Sequence, residues 1–501
     1  MMRAARAALD AGRPALVWKR QVAATETPIS AALKLMEAER GDFLLESVEG
    51  GAVRGRYSLI GLAPDLVYRA SAQTAEINRH WATDRTAFRA LDADPLSALR
   101  ALVAECRCDV DPALPSALAC LVGYFGYETI GLVEKLPRPA DPGIGLPDML
   151  FVRPTLILVF DRLADDLFLI APIWPGAATP DAERAIADAL DRIDGAAARL
   201  AQATPQQGAP LDSLPAEIAR TPVLPEGRYG EMVQAAKEYI VAGDIFQVVL
   251  AQRFTAPFPL PPLSLYRALR RINPSPFLYH LDLPGFALIG SSPEILVRAR
   301  DGEVTIRPIA GTRPRGANAV EDAANRDSLL ADPKERAEHL MLLDLGRNDV
   351  GRVAARGSVQ VTDSYAVEFY SHVMHIVSNV VGRLADGKDA LDALFAGFPA
   401  GTVSGAPKVR ACEVIAELEH EVRGAYAGGV GYFGPDGNMD SCIVLRTAVL
   451  KDGVMHVQAG AGIVADSDPA YEQRECEAKS GALFAAAREA LRVAAEGGFG
   501  Q

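Results

Sequence analysis

Cysteine is scarce, six in 501 residues, and its placing excludes more than it suggests. Cys106 and Cys108 stand too close for a zinc knuckle, and no other pair has metal-ligand spacing. None of the six lies in a Gly-x-Cys-x-Gly elbow, which leaves no cysteine nucleophile of the amidotransferase kind. Cysteines this sparse read as the reduced thiols of a cytoplasmic protein, not as a disulfide framework. Long apolar runs are missing too. The most apolar stretch, Met149 to Phe160, is broken by Arg153 and Pro154 and reads as a buried strand pair, so no membrane span is expected. Met1 to Arg20 has scattered arginines but no serine and no uninterrupted apolar core, so no targeting segment is expected. Positive charge is outweighed, with a formal net charge of −13, which argues against nucleic acid or an anionic membrane as partner. A small anionic ligand is still compatible, because a few arginines in one pocket outweigh a distant net charge.

What is present is an ordinary globular composition, 49% hydrophobic and 23% charged, long enough for two or three domains. No short repeat with a fixed period runs through the chain. Strand-like and helix-like segments alternate irregularly, as in an α+β fold built from antiparallel meanders. Residues 1–225 form a motif-poor N-terminal region. It holds a helix near 180–202 and ends in a Pro-, Gln- and Ala-rich flexible connector near 203–225. Residues 226–495 form a motif-dense C-terminal domain.

Two helix starts echo each other. Asp332-Pro333 followed by Glu335 and Glu338 gives a capping residue, a proline at the first helical position and two glutamates at i and i+3. Ala337, Leu340, Met341 and Leu345 keep helical spacing and are expected to form its apolar face. Asp468-Pro469 followed by Glu472 and Glu475 repeats the arrangement, with Lys479 one turn on. Either start alone is what a favourable helix macrodipole produces. If the two meet, four carboxylates face a site suited to a hard divalent cation.

Three further stretches read weakly one at a time. Phe398 to Lys408 is a loop rich in small residues, equally suited to a turn or to close approach of a ligand. His375 sits alone in the apolar run Val373 to Val377, where a satisfied core histidine is the commoner outcome. Gly460-Ala461-Gly462 is expected to follow a strand and to offer amides to a carboxylate.

In their order these motifs, with Arg347-Asn348-Asp349, resemble the chorismate-utilising enzymes, and among them the large subunits of anthranilate synthases. The resemblance is strongest over residues 225–490. It implies antiparallel sheets packed face to face with helices outside, and Mg²⁺ held by Glu335, Glu338, Glu472 and Glu475. It also implies a substrate cradle of Gly311, Thr312, Tyr426, Arg446, Gly460, Gly462 and Lys479, with Thr402 in the catalytic set. Glu294 would be the acid that protonates the departing ring hydroxyl, and His375 the residue for loss of pyruvate with aromatisation.

Two positions separate the branches of that family. Aminodeoxychorismate synthases typically carry a nucleophilic lysine where this chain has Ala310; isochorismate and salicylate synthases carry a water-activating lysine where it has Gln247. With neither, the nucleophile is expected to be ammonia, delivered by a separate glutaminase subunit, and the product anthranilate, the first step of tryptophan biosynthesis. The resemblance further implies tryptophan feedback. Its pocket would be formed by Leu45, Glu46, Ser47, Pro276, Phe277, Leu278, Val430, Tyr432 and Cys442, with Phe277-Leu278 in place of the usual Tyr-Met.

Overall fold

The computed structural model describes residues 1–49, 53–176, 181–205, 217–370 and 373–496. The middle of the expected connector, residues 206–216, lies outside the described residues.

Two twelve-stranded sheets carry the fold, and their strand pairs are antiparallel. In the first sheet the strands Asp42–Glu49, Phe277–Leu283, Phe286–Ser292, Thr447–Lys451, Val454–Ile463 and Gln247–Pro257 lie side by side in that order. In the second the run is Ile309–Pro314, Val373–Arg383, Glu303–Ile306, Ile295–Arg300, Met439–Ile443, Gly429–Phe433, Leu121–Phe125 and Met149–Arg153. Each sheet takes strands from both sides of residue 225: Leu45 pairs with Tyr279 and Tyr124 with Val430. The division at 225 therefore separates motif density along the chain, while the sheets run across it.

The apolar run Met149 to Phe160 forms two fully buried strands, as its composition requires, but they are not partners. Met149–Arg153 belongs to the second sheet and Leu156–Asp161 to the first. Pro154, which has no N–H for a ladder, lies in the crossing between them. The chain makes the same change of sheet at Pro293-Glu294, from Phe286–Ser292 to Ile295–Arg300. It returns at Val444 to Arg446, from Met439–Ile443 to Thr447–Lys451.

The facing sides of the sheets share one apolar layer, in which Phe43, Tyr279, Leu281 and Leu288 of the first sheet meet Tyr124, Leu150, Val430 and Cys442 of the second. Helices such as Ala182–Leu200, Pro262–Ile272, Lys408–Glu419 and Pro469–Glu496 bury their apolar faces in a second, larger core on the outer sides. Burying each large side chain in these layers contributes roughly 1.5–3 kcal/mol, which is what fixes the sheet register. No described helix is long and apolar enough to cross a membrane.

The first glutamate helix spans Pro333–Gly351 with Asp332 as its cap, accepting from the Lys334 amide at 2.9 Å. Its buried side is the expected one only in part: Met341 and Leu345 are half-buried. Leu340 is 50% exposed and Ala337 is exposed, while His339, Leu342, Leu343, Gly346, Asp349 and Val350 are buried. Two polar residues hold that side: His339 Nε2 hydrogen-bonds Ser378 at 2.7 Å, and Asp349 accepts from Lys408 Nζ at 2.9 Å. A face stapled by polar groups is invisible to a count of apolar residues.

Candidate active site

Two of the three sheet crossings, at Glu294 and at Arg446, run side by side. At Glu294 and Arg446 the chain leaves the ladder, so neither side chain is committed to a sheet face. The crossings interlock: the Ile443 amide donates to the Glu294 carbonyl and the Ser291 amide to the Arg446 carbonyl, both at 3.1 Å. Arg446 is held at φ +48°, in the left-handed region that a non-glycine residue enters at a cost. No carboxylate of the described residues pairs with its guanidinium, and Tyr426 lies close enough to act on it electrostatically. Burial pushes the Arg446 pKa down, which marks a cation that an incoming anion would stabilise.

Glu294 is buried and accepts one hydrogen bond, from the Thr402 hydroxyl at 3.0 Å. Burial raises its pKa to about 8, with the Thr402 bond opposing, so the carboxyl is protonated at neutral pH. Thr402 lies in the short 3₁₀ turn Gly401–Val403, inside the small-residue loop noted in the sequence. A Cβ on Gly401 would stand 2.1 Å from a Leu345 methyl, so glycine is what lets this turn pack on the glutamate helix.

His375 projects from the second sheet opposite Thr312. Its Nδ1 lies 3.0 Å from the Gly311 carbonyl and 3.1 Å from the Thr312 hydroxyl. A carbonyl only accepts, so Nδ1 carries the proton and the Nε2 lone pair is left to act as base. Burial lowers the His375 pKa, with the Arg446 charge acting in the same direction, which keeps the ring neutral. Gly311 forms a bulge at φ +77°, and a Cβ there would meet the Glu335 carboxylate at 3.1 Å. The bulge therefore brings the histidine and the first glutamate helix to the same spot.

Gly460 and Gly462 lie within the strand Val454–Ile463 and not after it, as expected from the sequence. Pairing toward Thr447–Lys451 stops at Val457, so the glycines present an open strand edge. Added Cβ atoms would stand 2.8 Å from the Tyr426 hydroxyl and 2.5 Å from the Gln247 amide nitrogen. Lys479 Nζ reaches the Gly460 carbonyl at 2.9 Å and Glu475 at 2.7 Å, tying the second glutamate helix to this edge.

The two helix starts do approach one another. The carboxyl pKa of Glu338 is raised first by burial and then by the charge of Glu335, with Glu475 adding and Lys334 and Lys479 opposing. Glu472, also buried, is raised by burial and by Glu475. The four carboxylates do not close into a cage, however. Among the described residues no group of three or more His, Cys, Asp or Glu could hold a metal ion. Arg313 occupies Glu335 at 2.8 Å and Lys479 occupies Glu475. An excess of hard carboxylate oxygens around a desolvated Glu338 suits Mg²⁺, which binds through one or two carboxylates and completes its shell with water and substrate oxygens.

Three residues join the site without a signal in the sequence. Tyr370 packs edge-on against His375, with ring centroids 5.4 Å apart, and donates its hydroxyl to Glu368 at 3.0 Å. Arg313 clamps both Glu335 and the helix cap Asp332. Arg423 lies behind Thr402, with its Nη1 2.7 Å from the Val403 carbonyl. For each, only a fold-level neighbour reveals the role.

The expected tryptophan pocket is brought together in part. Leu45, Phe277, Val430, Tyr432 and Cys442 all face the layer between the sheets, and Ser47 lies half-buried where the register of Leu45's strand shifts. Pro276 is half-buried at the start of its strand. The Glu46 and Leu278 side chains do not join them. Strand alternation turns both to the outer side, where Glu46 is held by Arg270 at 2.6 Å, Tyr266 at 2.8 Å and Arg162.

A profile of chorismate binding enzymes matches residues 47–485. The chain is 51% identical over 490 residues to anthranilate synthase component 1 of Cereibacter sphaeroides, covering 98% of each chain. It is 45% identical to the same component of Thermus thermophilus, over 92% of this chain and 95% of that one. Among solved structures, anthranilate synthase component I of Streptococcus pneumoniae superposes with a TM-score of 0.74 at 34% identity, over 93% of this chain and 99% of that one. The menaquinone-specific isochorismate synthase MenF of Escherichia coli superposes with a TM-score of 0.70 at 18% identity, over 97% and 99%, and shares the fold.

Proposed function

The chain belongs to the chorismate binding enzyme family, and we propose that it is the large subunit of an anthranilate synthase. It would convert chorismate and ammonia to anthranilate, pyruvate and water, the first committed chemistry toward tryptophan. The observation that carries this reading is the lack of an amine at both positions that would supply an internal nucleophile or base. Ala310 is a buried methyl beside the Gly311 bulge, and Gln247 is a buried amide against Gly462. The nucleophile must therefore come from outside, and the identity to component 1 chains supports ammonia.

In the proposed reaction Arg446 pairs with the enolpyruvyl carboxylate, beside the Tyr426 hydroxyl and the open edge at Gly460 and Gly462. Glu294 gives its proton to the ring hydroxyl, which leaves as water while ammonia adds to the ring and then sheds a proton. Its pKa near 8 lets it act as an acid at neutral pH. His375 Nε2 next takes the proton from the aminated ring carbon as the enolpyruvyl C–O bond breaks. The methylene gains a proton, and pyruvate departs from an aromatic ring. Mg²⁺, held by one or two of the carboxylates of Glu335, Glu338, Glu472 and Glu475 with water completing its shell, would supply Lewis-acid neutralisation of the ring carboxylate.

The same reading places a glutaminase subunit in trans, since none of the six cysteines forms a nucleophile elbow. It also makes the inter-sheet layer beside Leu45, Ser47, Phe277 and Val430 a tryptophan feedback site, whose apolar walls suit an indole. The isolated chain with Mg²⁺ and chorismate should form fluorescent anthranilate with ammonium at alkaline pH, and none with glutamine until a glutaminase component is added. Turnover with glutamine alone would contradict this division of labour.

A further inference from the structure

The strand Gln247–Pro257 forms one wall of the site, and its outer edge is only partly covered. Gly405–Ala406 pairs with it at Gln247-Val248, and Thr221–Pro222 at Phe254-Thr255. Between them the edge has no strand neighbour. The Val249 amide still reaches the Ser404 carbonyl and the Arg253 carbonyl accepts from Val223, but the Val249 carbonyl and the Ala251 amide are satisfied by a buried ion pair on the helix Lys408–Glu419 and the turn after it. Glu419 Oε1 accepts from the Ala251 amide at 2.8 Å. Arg423 Nη2 donates to the Val249 carbonyl and Nη1 to the Val403 carbonyl, both at 2.7 Å. The two side chains close on each other at 2.6 and 2.8 Å.

Arg423 is 2% exposed, and its guanidinium also lies over the rings of Tyr127 and Tyr426, at 4.7 and 5.5 Å. Its main-chain amide and that of Gly424 are fixed in turn by Glu128, at 2.7 and 3.0 Å. A buried ion pair is by itself weak support for stability, because desolvation offsets the attraction. What distinguishes this one is where its contacts fall. Val403 follows Thr402, Val249 faces Gly462 across the ladder, Ala251 faces Gly460, and Tyr426 lies against Gly460.

We propose that Arg423 is a positioning residue for the reaction: with Glu419 it replaces a missing length of strand and sets the Thr402 turn and the glycine edge relative to each other. It touches no substrate and acts through its neighbours. The proposal rests on the functional reading of Thr402, Tyr426 and Gly460 given above.

The test is a double-mutant cycle between Arg423→Lys and Thr402→Ala, read as kcat and KM for chorismate with ammonium as co-substrate. Lysine keeps the charge on Glu419 but cannot reach both carbonyls in a fork. Arg423→Lys should lower kcat/KM by about 10- to 100-fold with KM raised, as small misplacement of reacting groups does. The cost of Thr402→Ala should shrink by about threefold or more in the lysine background, the sign of a shared path. If Arg423→Lys does not fold, Glu419→Gln/Arg423→Met, which removes both charges together, carries the same cycle. A variant that melts earlier but keeps wild-type kcat and KM, or a Thr402→Ala cost equal in both backgrounds, would overturn the proposal. Wild-type turnover is measured first, so its absence counts against the functional reading and additivity in an active enzyme counts against Arg423.

Discussion

Replacing Glu294 by glutamine should separate activity from stability in opposite directions. The amide keeps the size of the carboxyl and can still accept from Thr402, but it has no acid proton to give. Loss of a general acid costs about 10²- to 10⁴-fold in kcat. Stability should move the other way. Burial raises the Glu294 pKa from 4.5 to about 8 in the folded protein. Between those values the native state holds a proton that the unfolded chain has released, so stability falls as pH rises, by about 1.4 kcal/mol per unit. Over the two and a half units from 4.5 to pH 7 that amounts to about 3 kcal/mol. Glutamine does not titrate and escapes this loss. Anthranilate fluorescence gives kcat, and calorimetric scans at pH 5.5 and pH 8 give the melting temperatures. The glutamine variant should be nearly inactive and should gain on wild type as pH rises. A variant with more than a tenth of wild-type kcat, or a melting difference that does not change with pH, would refute the buried-acid assignment.

Other residues make separate predictions. His375→Gln should consume chorismate while anthranilate falls on the order of 10²-fold or more, so that a non-aromatic amino product builds up by mass spectrometry. Anthranilate formation undiminished would remove His375 from the second step. Glu338→Gln should weaken activation by Mg²⁺ about 10- to 100-fold while the melting temperature holds or rises, because burial and then the like charge of Glu335 raise the Glu338 pKa. Equal losses of stability and activity would instead make Glu338 a structural helix-start residue. Ser47→Ala should raise the tryptophan concentration needed for half-inhibition about tenfold, the worth of a hydrogen bond or two. Unchanged inhibition would move the regulatory site elsewhere.

Much of the site was legible because its signals are local. The cap at Asp332, the proline at 333 and the i, i+3 glutamates follow from backbone chemistry within one turn, and the structure has them so. The antiparallel α+β class was legible from strand periodicity, and the two-sheet packing from the family resemblance. Distant partners were not. Met149 to Phe160 reads as two buried strands, yet nothing local says that the chain changes sheets at Pro154. Leu340 keeps helical spacing and still faces solvent, because His339 and Asp349 find buried partners far along the chain. Glu46 could have been placed correctly, since period-two alternation already sets it opposite Leu45. Arg423 could not. Four residues after Glu419 it looks like an ordinary surface pair, and only the gap between two short strands gives it work.

The central claim is that ammonia, and no group of the protein or water, attacks the ring. Mass analysis of every product formed from chorismate, Mg²⁺ and ¹⁵N-ammonium by the purified chain tests it most directly. The account predicts ¹⁵N-anthranilate and pyruvate in equal amounts. Isochorismate, salicylate, or aminodeoxychorismate as the end product would contradict it.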